Sequence, residues 1–159
     1  MKWQWYRIQL ILYMALSLGT IILFIFIQTS VNKGGVELVT MILNIFLSLC
    51  LFFNGFINFL WLHLYYPDQL PSKAFRRTTT IFMILAVPTI LLYAFFAISG
   101  LYSFMEAKLS LVGRNLVWFA GTSLLLALSL VGAVNFVLHF QLVRAIKRNR
   151  KNAFQDFMQ

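Results

Sequence analysis

The chain has 159 residues, of which 61% are hydrophobic and 11% are charged, and its formal net charge is +9. Its mean hydropathy of +0.83 lies far from that of soluble globular domains and predicts an all-α integral membrane protein. The residues outside the apolar stretches are too few for a folded basic domain, so we exclude a nucleic-acid-binding role. The positive charge is therefore interpreted first as a signal of membrane orientation.

Four apolar stretches are long enough to cross a membrane, because a helix needs ~20 residues to span ~30 Å of hydrocarbon. We place them at about 8–27, 38–64, 81–105 and 115–143. The first stretch ends in "FIFIQTSVNKGG", which has no small-residue cleavage pattern, so we expect a retained helix rather than a signal peptide. Residues 1–159 are thus predicted to form one four-helix transmembrane domain, in a cell (inner) membrane.

Basic residues are distributed unequally between the two predicted sides of the membrane. One side carries Lys2, Arg7, Lys73, Arg76, Arg77, Arg144, Lys147, Arg148, Arg150 and Lys151. The other side carries Lys33, Lys108 and Arg114. Because positive charge accumulates in cytoplasmic loops, this distribution predicts that both termini are cytoplasmic.

The longest predicted cytoplasmic connection is "YYPDQLPSKAFRRTTT" at 65–80. Pro67 and Pro71 lack a backbone N–H and disfavour continuation of the second helix. Tyr65 and Tyr66 suit the level of the lipid headgroups, where amphipathic rings settle. The segment is therefore predicted to be a boundary loop between the second and third helices.

Small and polar residues recur on one face of each of the last three predicted helices, given ~100° per residue. The helix-packing positions on the second and fourth helices are Asn44, Ser48, Gly55, Asn58, Gly121, Gly132, Asn135 and His139. The third helix has Ala86, Tyr93, Ala97 and Gly100 on a similar face. Small residues let helices approach closely in lipid, and Asn or His can hydrogen-bond across the contact. These faces are predicted to form the bundle interior, where Asn54 is a further neutral polar residue.

The two histidines of the chain occur in related stretches, "NFLWLH" at 58–63 and "NFVLHF" at 135–140. Both would lie near the cytoplasmic side, which leaves open a haem held by His63 and His139. However, His63 lies ~100° away from the polar face of its helix, whereas His139 lies on such a face. We therefore favour structural roles for both residues and expect no cofactor.

Catalytic chemistry has little support in this sequence. Cys50 is the single cysteine, so thiol–disulfide exchange between paired cysteines is excluded. The acidic residues, Glu37, Asp68, Glu106 and Asp156, are scattered rather than clustered as a metal-dependent headgroup transferase would require. The central parts of the helices carry no charged residue, which disfavours ion-coupled transport. We expect the protein not to be an enzyme and predict no metal site.

The end of the chain, "VRAIKRNRKNAFQDFMQ", forms a predicted basic cytoplasmic tail over 144–159 that continues the fourth helix. Its anionic-lipid contacts are predicted at Arg144, Lys147, Arg148 and Lys151. A basic residue near the membrane surface contributes ~1 kcal/mol of attraction to anionic headgroups.

These features predict a non-catalytic membrane subunit that packs against, stabilises or regulates other membrane proteins. Its partners would be the lipid bilayer, other integral membrane subunits or further copies of itself, with anionic lipids at the cytoplasmic face. One alternative is a b-type haem or quinone-associated electron-transfer subunit that uses His63 and His139. A further alternative is a small oligomeric channel or lipid-handling protein.

Overall fold

The computed structural model describes residues 3–31, 35–107 and 113–157, which form long helices and no strand. The α-helices are α1 (Trp3–Val31), α2 (Gly35–Leu60), α3 (Lys73–Glu106) and α4 (Arg114–Phe157). A π-helical turn, Trp61–Tyr65, follows α2 directly. All four α-helices are long and apolar enough to cross a membrane. The predicted all-α class with four candidate membrane helices is therefore confirmed, while Lys2, Lys33 and Lys108 lie outside the described residues.

The helices form a ring in chain order. Each helix packs against the next, α1 and α4 close the ring, and α2 also touches α4. The start of α1 meets the loop after α2, since the Trp3 and Tyr66 rings lie 5.0 Å apart. The same loop meets the end of α4, where Asn149 Nδ2 donates to the Pro67 carbonyl at 3.1 Å. Successive helices therefore run in opposite directions, as in up-down bundles.

The start of α3 differs from the prediction, which had placed the loop over 65–80. The helix begins at Lys73, after Ser72, whose Oγ accepts a hydrogen bond from the Phe75 backbone N–H. The three threonines 78–80 lie inside this helix, where each hydroxyl is satisfied by donating to the carbonyl four residues earlier. The loop between the second and third helices is therefore confined to residues 66–72.

Helix α1 extends beyond its predicted start, whereas α4 continues beyond its apolar stretch into the tail, as predicted. Helix α1 begins at Trp3 rather than near residue 8, and α4 continues through the basic tail to Phe157. Both extensions are supported by packing, because Tyr6 and Ile146 are fully buried in the same apolar cluster. The bundle thus continues beyond the apolar stretches at its basic end.

The interior contains two apolar clusters. The cluster near the basic end consists of Tyr6, Leu10, Ile57, Trp61, Leu142 and Ile146. The second cluster consists of Tyr13, Leu51, Ala86, Ile90, Tyr93 and Leu128. Apart from Thr89, the buried positions in α3 follow alternating spacings of three and four residues, at 79, 83, 86, 90, 93, 97, 100 and 104. This spacing is typical of helices that pack at shallow angles in left-handed bundles.

Candidate functional site

A buried layer of polar side chains, mainly amides, adjoins the apolar cluster near the basic end and connects three helices. Asn135 on α4 donates to Asn54 Oδ1 at 3.0 Å and accepts from Asn58 Nδ2 at 3.3 Å. Tyr6 on α1 donates to the same Asn135 Oδ1 at 3.1 Å. Asn58 Nδ2 also lies 3.3 Å from Asn54 Oδ1 within α2. We call Tyr6, Asn54, Asn58 and Asn135 the amide layer.

A second polar contact joins α2, α3 and α1 farther from the basic end. The Tyr93 hydroxyl donates to the Asn44 carbonyl at 3.0 Å and lies 2.9 Å from Ser48 Oγ. Thr20 Oγ1 lies 3.0 Å from the same Ser48 oxygen. Because all these side-chain oxygens bond to other protein groups, this contact holds the helices together without offering a free group to a ligand.

Glycines mark the closest helix approaches. A Cβ on Gly132 would lie 2.8 Å from Ile90 Cδ1 and 3.1 Å from Tyr13 Cε2. A Cβ on Gly55 would lie 2.9 Å from Tyr13 Cδ1. Since real Cβ atoms do not approach other atoms so closely, a larger residue at either position would displace its neighbours.

The structure buries seven of the eight predicted helix-packing residues. They are Ser48, Gly55, Asn58, Gly121, Gly132, Asn135 and His139. Asn44 differs, because its side-chain Nδ2 donates to the Thr40 carbonyl of its own helix at 2.8 Å and is only partly buried. Its backbone carbonyl, rather than its amide, takes part in the interhelical contact.

The two histidines lie in different environments. His63 is exposed, stacks on Phe59 at 6.1 Å and has its Nδ1 3.2 Å from the Arg7 guanidinium. His139 is only 6% exposed and lies edge-on to Trp61, with 5.5 Å between ring centroids. His139 packs on Trp61, and Trp61 is two positions from His63 in the same helical turn. The side chains of Trp61 and His63 therefore point in different directions. This arrangement gives no support to a haem held between the two rings.

His139 lies at the floor of a groove between α3 and α4. Two cavities of about 300 and 210 Å³ share Thr79, Thr80, His139 and Phe140 as lining residues. Trp61 Nε1 donates to Thr79 Oγ1 at 2.8 Å, and Thr79 donates to the Phe75 carbonyl, so this threonine is satisfied. His139 Nδ1 is buried with no hydrogen-bond partner in the part of the chain that the structure describes. We call these joined cavities the α3–α4 groove.

The predicted anionic-lipid residues Arg144, Lys147, Arg148 and Lys151 are all exposed. Three of them line cavities, in two different regions. Arg144 and Arg148 line a cavity of about 410 Å³ that also touches Trp3 and Tyr66. Lys147 instead lines the α3–α4 groove. Their contact with anionic lipids stays a prediction.

Several interior contacts were not predicted from the sequence, chiefly those of α1. The buried residues of this helix are Tyr6, Leu10, Tyr13, Ser17 and Thr20. These residues are four, three, four and three positions apart, as in α3, so this spacing could have predicted the buried face of α1 from the sequence. No sequence pattern predicted the hydrogen bond between Trp61 and Thr79, because Thr79 was expected to lie in a loop.

Among the described residues, no group of three or more His, Cys, Asp or Glu side chains is placed to hold a metal ion. No protein-family model, no curated protein and no solved structure matches this chain.

Proposed function

We propose that the protein is a non-catalytic integral membrane subunit that packs against other membrane proteins and stabilises or regulates them. The amide layer supports this proposal. Asn135 satisfies both ends of its side-chain amide within the bundle, through Tyr6, Asn58 and Asn54. Polar groups used in this way hold helices in register, which is what a rigid scaffold in lipid requires.

The surface proposed for partner contact is the outer face of α3. The most exposed large side chains in the second half of α3 are Leu91 (65%), Phe95 (64%), Ile98 (61%), Tyr102 (65%) and Met105 (76%). Positions 91, 95, 98 and 102 repeat the alternating spacing of the buried face, on the opposite side of the same helix. We call these five residues the outer α3 stripe. Such spacing suits a second helix packing along α3.

The proposed orientation has both termini in the cytoplasm, in a cell (inner) membrane. The basic residues support it, because ten of the thirteen in the sequence lie near the N-terminus, the 65–80 segment or the C-terminus. The contacts of Trp3 with Tyr66 and of Asn149 with Pro67 bring these regions to one end of the bundle.

Site-specific photo-crosslinking tests the partner surface. Benzoylphenylalanine replaces Phe95 on the outer α3 stripe, and it replaces Tyr93 in the interior as the control. We expect an adduct of discrete protein mass from position 95 in native membranes, and only intramolecular products from position 93. An adduct with a second copy would identify a homo-oligomer. If position 95 yields lipid adducts alone, the proposed partner surface is wrong.

An absorption spectrum separates the subunit proposal from the electron-transfer alternative. The protein purified gently from its native membrane is expected to lack a stoichiometric Soret band. A stoichiometric band lost in both His63→Ala and His139→Ala would identify a haem and overturn the subunit proposal.

A further inference from the structure

The α3–α4 groove changes from charged to apolar along its length. Arg76 and Lys147 lie at one end, in the cavity of about 210 Å³. Ile84, Val87 and Phe136 lie at the other end, in the cavity of about 300 Å³. A ligand that filled the groove would therefore need a polar group at one end and an apolar chain at the other.

The length of the groove matches one leaflet of a membrane. Residues 76 and 87 of α3 are eleven positions apart, which corresponds to about 16 Å along a helix that rises 1.5 Å per residue. This is close to half of the ~30 Å hydrocarbon thickness. With its charged end at the headgroups, a groove of this length would reach the middle of a bilayer, as a phospholipid acyl chain does.

Charge at this end of the bundle favours an anionic headgroup. Lys73, Arg76 and Arg77 line a further cavity of about 580 Å³ that shares Arg76 and Thr80 with the groove. The sequence has ten basic residues near the N-terminus, in the 65–80 segment and near the C-terminus. The acidic residues in the same segments are Asp68 and Asp156. Carboxylates can therefore neutralise few of these cations, and the remaining positive field attracts an anion.

We propose that the α3–α4 groove binds one anionic phospholipid. Its phosphate lies between Arg76 and Lys147, and one acyl chain runs along Ile84, Val87 and Phe136. His139 lies at the junction of the two cavities and provides a hydrogen-bonding ring beside the polar end of the lipid. The proposal is independent of the partner surface, because it requires only the groove of a single chain.

A lipid is favoured over a partner helix by the combination of charge and shape. A partner helix would need its own acidic groups at the level of Arg76 and Lys147. An anionic phospholipid carries its charge next to its apolar chain, in the order that the groove presents. The two occupants differ experimentally, because only the lipid binds to the purified chain alone.

Native mass spectrometry of the full-length protein tests the site. The protein is extracted from vesicles that contain equal amounts of phosphatidylglycerol and phosphatidylcholine, and retained lipids are counted. We expect one phosphatidylglycerol per chain. The double variant Arg76→Gln/Lys147→Gln should retain it about thirtyfold more weakly, the product expected for two surface charges. The control Arg7→Gln/Arg150→Gln removes the same charge from exposed positions at the same end of the bundle, outside the groove and outside the predicted anionic-lipid residues, and should stay near wild type.

A second pair of variants tests the shape of the groove without changing charge. Thr80→Trp places a large ring at an exposed position shared by both cavities, whereas Leu130→Trp places it on α4 outside them. We expect the first variant to lose phosphatidylglycerol at least tenfold and the second to retain it, with equal thermal stability.

Four results would overturn the proposal. They are no retained lipid in the wild type, equal retention of the two lipids, equal losses from the two double variants, and full retention by Thr80→Trp. The first result would instead favour a partner protein as the occupant of the groove. The third would indicate that surface charge alone attracts lipid.

Discussion

At individual residues, the packing depends on the size of the side chain and on whether its polar groups are hydrogen-bonded. Gly132 lies where Tyr13 and Ile90 approach α4 closely, whereas the adjacent Ala133 is exposed. The polar interior is not fully paired, because Tyr13 Oη and Asn54 Nδ2 are buried without partners among the described residues. An unpaired buried polar group costs about 1–3 kcal/mol, so the close apolar fit around such groups has to offset it.

Replacement of Gly132 by Leu is expected to destabilise the bundle. The new side chain would overlap Ile90 and Tyr13, and overpacking in a filled interior costs about 1–3 kcal/mol. Thermal unfolding in detergent, followed by loss of the monodisperse chromatographic peak, measures the effect. The control Ala133→Leu adds a similar volume on the exposed side and should change the free energy of unfolding by less than about 0.5 kcal/mol. Equal effects from the two variants would contradict the tight contact at Gly132.

Specific polar contacts join the helices as elements. The amide layer connects α1, α2 and α4, while Tyr93 connects α3 to α2 through Ser48 and the Asn44 carbonyl. At the basic end, Trp61 in the π-helical turn holds the first turns of α3 through Thr79. Each helix therefore has a directional contact to a neighbour in addition to its apolar packing.

Replacement of Asn135 by Leu tests the amide layer. The change removes the side-chain bonds to Tyr6, Asn58 and Asn54. It leaves the Tyr6 hydroxyl unpaired, whereas Asn58 Nδ2 and Asn54 Oδ1 keep their bond to each other. Polar contacts between membrane helices average ~0.6 kcal/mol each, so we expect a loss of about 2 kcal/mol in the free energy of unfolding. Reversible unfolding in mixed micelles with a denaturing detergent measures this loss.

Asn44→Leu is the matched control for the amide layer. This substitution also replaces an asparagine by leucine in a membrane helix, but the Asn44 side chain bonds to its own helix at the Thr40 carbonyl. We expect a change of less than about 0.5 kcal/mol. If Asn135→Leu is no more destabilising than Asn44→Leu, the amide layer does not hold the helices together.

On the scale of the whole molecule, the bundle is asymmetric along its length. The start of α1, the loop 66–72 and the end of α4 come together at one end, with most of the basic residues of the chain. The cavities that contain Arg76, Lys147, Arg144 and Arg148 lie at this end. Orientation in the membrane therefore determines which leaflet and which compartment these residues meet.

Cysteine labelling measures the orientation. In a Cys50→Ala background, Lys73→Cys is expected to react with a membrane-impermeant maleimide only after permeabilisation, because the proposed topology places the basic end in the cytoplasm. Lys33→Cys should react in intact cells, since position 33 belongs to the connection on the opposite side in the sequence. The reverse pattern would place both termini outside and contradict the proposed topology.

The sequence by itself determined the protein class, the number of helices and much of the inward-facing pattern. Hydropathy averaged over ~20 residues is sufficient for the first two, because the bilayer imposes the length of each helix. The periodicity of Gly132, Asn135 and His139 indicated the interior face of α4 in the same way. Helix ends were less predictable, since the Ser72 cap and the packing of Trp3 extend α3 and α1 beyond their apolar stretches.

Only the tertiary structure decided which interior groups meet. The bonds of Asn135 to Tyr6 and Asn54 depend on the rotation and axial offset of three helices, which no local pattern specifies. The same geometry separates the histidines, leaving His63 beside Arg7 and His139 at the floor of the α3–α4 groove. Helix periodicity relates residues along one helix, whereas a site between helices exists only once their faces are brought together.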